Sequence, residues 1–246
     1  MYTYDFPLSQ KARTYLKFEN IFNSIDECSE LETDSETYCL IRSIIDYIDM
    51  VDGSGALKFD ISKDLDKLMQ RMKAYSKDPE VDENLIEEIL AQIDNSYKEL
   101  EKFTRQRTVL RDDPLLELIK PRFMTPCGVN CFDTPMFTFW MSLPPEDKMQ
   151  SVNIWLNEIE AIRTPVSVIL YIWRLCSEFQ TRVAHNGFMQ ENGDTCDLIE
   201  IKYPKTVRGY PVVSGFQSSF NVRFLPFEKK AQVGDIEFEI AYIKSM

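Results

Sequence analysis

Residues 214–227 read "SGFQSSFNVRFLPF". Taken as a strand, side chains alternate between two faces. Phe216, Phe220, Val222 and Phe224 then share one face, and Gln217, Ser219, Asn221 and Arg223 the other. The same period of two recurs in "DLIEIKY" (197–203), which lines up Ile199, Ile201 and Tyr203. It is cleanest in "DIEFEIAYI" (235–243), where Ile236, Phe238, Ile240 and Tyr242 oppose Asp235, Glu237 and Glu239. Asn-Gly dipeptides at 186–187 and 192–193 are hairpin-type turn signals. The chain after about residue 183 therefore reads as antiparallel β-structure.

Before that point the apolar residues recur at helical spacing. A first helix is expected from Ser9, with Ala12, Leu16 and Phe22 inward. A second opens on a capping box, Thr33 with Glu36, and presents Leu40, Ile41, Ile44, Ile45 and Ile48. A third, from about Ile61 to Tyr75, turns Leu65, Leu68, Met69 and Met72 inward. A fourth, from Asp82 to about Thr108, carries a stripe of Leu85, Ile89, Ile93, Tyr97 and Leu100. Joined across "SKDPEV", the last two form an antiparallel hairpin. The stripe is either packed within its own domain, the commoner case, or a seam with another chain. A short helix follows "RDDP", and two more start after Pro144-Pro145, with Trp155, and after Pro165, with Trp173. The expected fold is α+β: a mainly helical region over 1–180 and a smaller antiparallel β-sheet domain over 181–246 packed on it.

A formal charge of −12 argues against a nucleic-acid binder and against polybasic attachment to lipid. The N-terminal "MYTYDFPLSQKARTYL" lacks the basic and apolar regions of a signal peptide. "VSVILYIWRLC" (166–176) is too short to cross a bilayer, so a cytoplasmic protein without direct membrane insertion is expected. The cysteines at 28, 39, 127, 131, 176 and 196 then read as free thiols, and a lone His185 leaves no metal-ligand set.

No nucleophile elbow, phosphate loop or dinucleotide fingerprint is present. His185 precedes an Asn-Gly turn, where a structural role is commoner than catalysis. An enzyme built on His185 and Cys196 is the rival reading, and no catalytic residue or cofactor is assigned. Charge is unevenly spread instead. Ten acids and a single base, Arg42, lie between Glu19 and Asp52. Six bases and one acid lie between Lys202 and Lys230. Such a dipolar surface fits an acidic protein segment as partner. For Arg223 two readings stay open. If 216–227 and 235–243 form a hairpin across "EKKAQVG", Arg223 faces Glu237 or Glu239, a pair worth about 0.2–1 kcal/mol; otherwise it is a hook for a partner.

Four strings, "PLSQKARTYLKFE" (7–19), "CGVNCFDTPMFTFWMSLPPE" (127–146), "HNGFMQENGDTCDL" (185–198) and "YPVVSGFQSSFNVRFLPFE" (210–228), resemble the ZapD family, Z-ring-associated division factors of proteobacteria. The resemblance implies a symmetric homodimer, recruited to the division site at mid-cell, that binds the C-terminal tail of FtsZ and bundles its filaments without enzymatic activity or cofactor. An adaptor for a different acidic partner is the alternative. On the family's matching motifs, partner-binding residues are Arg13 and Lys17 in "KARTYLK", Arg111 in "LRDD", Arg122 in "PRF" and Arg223 in "NVRFLPF". Where relatives often carry basic residues or histidine, this chain has Pro114, Thr138, Gln217 and Ser219, so the basic pocket is expected to be thinner.

Overall fold

The computed structural model describes residues 1–77, 81–104, 109–228 and 233–245. Helices fill the N-terminal part and antiparallel strands in two sheets the C-terminal part, the α+β class expected. The chain forms two compact units: Met1–Leu16 with Leu170–Met246, and Lys17–Ile169.

The helical unit contains α2 (Asp34–Gly53), α3 (Leu57–Tyr75) and α4 (Glu83–Lys102), then α5 (Val109–Asp112), α6 (Pro114–Ile119), a 3-10 turn (Lys120–Met124) and α7 (Pro135–Met141). It also contains most of α1 (Gln10–Glu27) and α8 (Pro145–Leu175), helices in which the unit boundaries fall. Helix α2 begins as its sequence dictates: Thr33 Oγ1 accepts from the Glu36 N–H, and Glu36 accepts from the Thr33 N–H, both at 3.1 Å. Its predicted stripe, Leu40 to Ile48, is buried, with Tyr47 against Phe18 and Phe22 of α1. On α4, Ile86, Ile89, Ile93 and Leu100 are buried and α3 is its packing partner. The stripe is thus used inside the unit, as the commoner reading has it, while Leu85 is exposed. The connection through 78–80 and the end of the expected helix at 105–108 lie outside the described residues.

Helix α8 departs from expectation. In place of two helices divided at Pro165, one helix of 31 residues runs through it. An interior proline costs roughly 3 kcal/mol through its missing N–H and its clash with the preceding turn. Here Trp155, Ile159, Ile162, Val166 and Ile169 are all buried within the same unit. Each such side chain is worth about 1.5–3 kcal/mol, so packing outweighs the break.

The β unit holds two sheets. One has the order β1-β4-β7-β2, from β1 (Tyr2–Pro7), β2 (Phe179–Ala184), β4 (Leu198–Tyr203) and β7 (Ile236–Ile243). The other is β3-β6-β5, from β3 (Phe188–Asn192), β5 (Gly209–Phe216) and β6 (Ser219–Pro226). Their apolar faces meet: Phe224 packs edge-on against Tyr203 and Phe238, and Ile199, Ile201, Phe220, Val222 and Ile240 complete a buried core. The second face of the four-stranded sheet carries Asp5, which accepts from Arg174 Nη2 at 2.7 Å.

Two turns set this topology. Asn186 (φ 50) and Gly187 (φ 73) make the two-residue turn between β2 and β3, as the Asn-Gly signal requires. Gln217-Ser218 turns β5 into β6, so the opening stretch is a hairpin and not one strand, and Phe216 pairs with Ser219. Gly215 permits it, with φ 134 and a Cβ position only 2.4 Å from the Ser219 carbonyl. Strand β1 had no herald in the sequence; it pairs with β4, Tyr2 opposite Tyr203 through Pro7 opposite Leu198.

Candidate functional site

Arg223 sits near the middle of β6, the central strand of the three-stranded sheet. Its neighbours on the strand, Val222 and Phe224, are buried, so alternation sends Arg223 to the outer face. It stands opposite Phe188 of β3 on one side and Val212 of β5 on the other. Phe188 is 45% exposed and Val212 39%. Tyr210 opposite Leu225, and Gln190 and Ser214 flanking Asn221, extend the same face. Arg223 is the one charged residue among them. Asn221 Oδ1 lies buried in this face without a hydrogen-bond partner among the described residues.

The expected alternative pairing does not form. Strand β7 lies in the other sheet, where Glu237 is opposite Val183 and Glu239 is opposite Thr181 and Lys202. The connection at 229–232, with Lys229 and Lys230, lies outside the described residues. Among the described residues Arg223 makes no ion pair, and a guanidinium between apolar neighbours is what a carboxylate-bearing ligand can use.

The other nominated bases are placed differently. Arg13 and Lys17 are both exposed on α1, four residues apart and so on one helix face. Arg13 and Arg223 belong to the β unit; Lys17, Arg111 and Arg122 belong to the helical unit. Arg111 is ion-paired with Asp52 of α2, and Lys120 Nζ lies 3.1 Å from Asp52 and 2.9 Å from Asp49. Burial pushes the Asp52 carboxyl up, but its bonds to Arg111 and Lys120 outweigh that and leave it below the usual range. Arg122, half-buried on the 3-10 turn, makes no ion pair among the described residues.

Pro114, Thr138, Gln217 and Ser219 hold local structure. Pro114 opens α6 behind the N-cap Asp113. Thr138 Oγ1 donates to the Thr134 carbonyl at 3.2 Å. Gln217 Nε2 donates to Asp197 at 2.7 Å, and Ser219 Oγ to Asn192 at 2.6 Å. Asp197 also receives the Ser245 N–H at 2.8 Å. Burial raises its carboxyl, yet the bonds from Ser245, Ser9 and Gln217 prevail and hold it below the usual range.

The rival pair is not assembled as a nucleophile and base. His185 Nδ1 lies 3.1 Å from Asp235 Oδ2, with its side chain 76% exposed. Cys196 points its thiol at the Gln217 carbonyl, 3.7 Å away. Burial pushes that thiol up to about 11, the reverse of activation. Among the described residues no group of three or more His, Cys, Asp or Glu is placed to hold a metal, and no helix is long and apolar enough to cross a membrane.

The fold and this face describe an α+β protein whose candidate site is an open recognition surface on a sheet. A family model described as a cell division protein, ZapD, matches residues 16–223. "Cell division protein ZapD" of Photobacterium profundum is 30% identical over 239 residues, covering 97% of each chain. That of Aliivibrio fischeri is 30% identical over 242 residues, 98% of this chain and 97% of the relative. That of Idiomarina loihiensis is 29% identical over 245 residues, covering 97% and 94%. The chain belongs to the ZapD family of cell division proteins, and its role is in septation.

Proposed function

We propose that this protein is a non-enzymatic division factor that binds the C-terminal tail of FtsZ and, as a homodimer, cross-links and bundles FtsZ filaments to stabilise the Z ring. The single observation that carries the reading is Arg223, a cation without an acid partner among the described residues, set in an exposed and otherwise uncharged face. A disordered tail becomes ordered on that face. Its carboxylate meets Arg223, and its apolar side chains rest on Phe188 and Val212. Phe224 takes no part, because it belongs to the core.

A modest single site suffices. Once one protomer holds a filament, its partner meets a second tail at high effective concentration, so a site of about micromolar strength gives stable cross-links. The α4 stripe is buried within its own unit, so the dimer interface lies on other surfaces. Recruitment through the tail places a cytoplasmic protein at mid-cell. Arg13, Lys17, Arg111 and Arg122 are the further bases proposed for the partner; for Arg111 the ion pair with Asp52 must be exchanged for the ligand's carboxylate.

The test is a titration of labelled FtsZ C-terminal peptide, followed by anisotropy, with the wild type and Arg223→Glu. Saturable binding that the substitution abolishes, with an unchanged circular-dichroism melt, supports the reading. Absence of binding at tens of micromolar peptide would redirect it to an adaptor for a different acidic partner.

A further inference from the structure

We propose that the Arg223 face takes its partner as a short amphipathic helix, in which an acid is flanked three or four residues away on both sides by apolar side chains. The inference rests on the tail-binding reading for the identity of the partner and adds the form in which that partner is recognised. Strand β6 is central in its sheet, and from Ser219 to Arg223 it is paired with β3 on one side and β5 on the other. The main-chain groups of such a strand are bonded to its neighbours, so β6 has none left for a peptide backbone. An extended peptide laid on the face would bury its own N–H and C=O groups without partners. A helix bonds them internally.

The sheet edges do not favour strand addition either. The Phe224 N–H donates to the Gly187 carbonyl, on the β3 side, at 2.7 Å. Main-chain groups alternate in direction along an antiparallel pair, so Pro211, opposite Phe224, turns its backbone away from β6 to the outer edge of β5. Proline has no N–H to give there. The outward carbonyl two residues earlier, that of Gly209, already accepts from Tyr203 Oη at 3.0 Å. On β3, a strand of five residues, the Phe188 N–H is turned back to the His185 carbonyl at 3.0 Å. Each edge therefore lacks part of the ladder that a docking strand needs.

The face also has the dimensions of one helix. The outer two of three strands lie about 9–10 Å apart, against a helix diameter of about 10–12 Å. Arg223 stands in the middle, with exposed Phe188 on one side and exposed Val212 on the other. Side chains opposite each other on neighbouring strands have Cβ atoms about 4.5–5.5 Å apart. Side chains three or four residues apart on a helix lie about 5–6 Å apart, whereas neighbours on one face of an extended chain lie about 6.8 Å apart. An acid between two apolar residues at helical spacing therefore meets Arg223, Phe188 and Val212 together. Tyr210 and Leu225, opposite each other on β5 and β6, extend the apolar end of the face.

The test uses the full-length protein and two probes. One is the FtsZ C-terminal peptide, carbon-13-labelled for NMR. The other is an alanine-rich helical peptide with a glutamate flanked at helical spacing by two leucines. Each probe has a twin with proline at a central position that makes no contact. The bound FtsZ peptide should show helical Cα shifts, and proline should weaken both probes at least about tenfold. Arg223→Glu should weaken both by at least about tenfold, and Phe188→Ala and Val212→Ala each by about fivefold. An FtsZ peptide that binds with extended Cα shifts, or that tolerates the proline, would overturn the helix and leave the tail reading standing. A designed helix that binds through Arg223 while the FtsZ peptide does not bind would uphold the helix and remove the tail reading. Failure of both probes to bind would overturn the inference.

Discussion

Arg111 and Arg223 carry the same charge in opposite surroundings. Arg111 lies in the helical unit, paired with Asp52 in a cluster that also holds Lys120 and Asp49. Arg223 lies in the β unit on an outer sheet face, between Phe188 and Val212, and makes no ion pair among the described residues. The acid-rich stretch that surrounds Arg42 in sequence is what captures Arg111 in space. The base-rich stretch around Arg223 holds one acid, Glu228, and that is paired with Arg208. A basic residue therefore serves recognition when the fold leaves it without a carboxylate, whatever the composition around it.

The largest effect that sharpens this comparison is on the inner side of the Arg223 strand. Phe224→Ala should cost about 3–5 kcal/mol of stability in denaturant melts, while Phe188→Ala on the outer side stays within about 0.5 kcal/mol. Equal losses would mean that the outer face is itself structural. Next comes the turn that carries the strand. Gly215→Ala places a Cβ against the Ser219 carbonyl at a strained φ and should cost about 1–3 kcal/mol. Arg223→Glu should weaken tail binding at least about tenfold, or about 1.4 kcal/mol, with the melt unmoved. A collapsed melt would instead put Arg223 in the same structural class as Arg111.

Arg111→Ala should cost at most about 1 kcal/mol in the melt, since its pair with Asp52 is partly exposed and solvent-screened. The smallest effect is on pH. Asp52 and Asp197 have carboxyls held below their unfolded values. Between the folded and unfolded pKa the native state binds fewer protons, so their contribution is present above the unfolded value near 4 and is lost as pH falls through the folded one. Asp197→Asn should flatten that part of the acid melt. An acid limb unchanged by the substitution would show that Asp197 does not contribute to it.

Much of the local structure was legible. The Thr33–Glu36 box, the α2 stripe and the Asn186-Gly187 turn follow from neighbours a few residues apart, and each stands where the sequence puts it. The failures share one cause. Pro165 reads as a boundary by its own chemistry, yet burial of side chains on both flanks carries α8 through it. Residues 214–227 read as one strand because alternation ignores a two-residue turn at Gln217-Ser218. Strand β1 is short and polar at its start, and its partner β4 lies at the far end of the chain.

At the candidate site, the residue types, the alternation that turns Arg223 away from Phe224, and the charge that argues against nucleic acid are all readable along the chain. Family membership follows from the sequence too, since it rests on the whole string of residues. The folded chain alone places β6 between β3 and β5, in a different sheet from the glutamates of β7. It also decided that Arg111 is held by Asp52. Caps, turns and periodicity are set by interactions within a turn or two of the chain. Strand partners and ion pairs depend on which distant segments the buried core brings together.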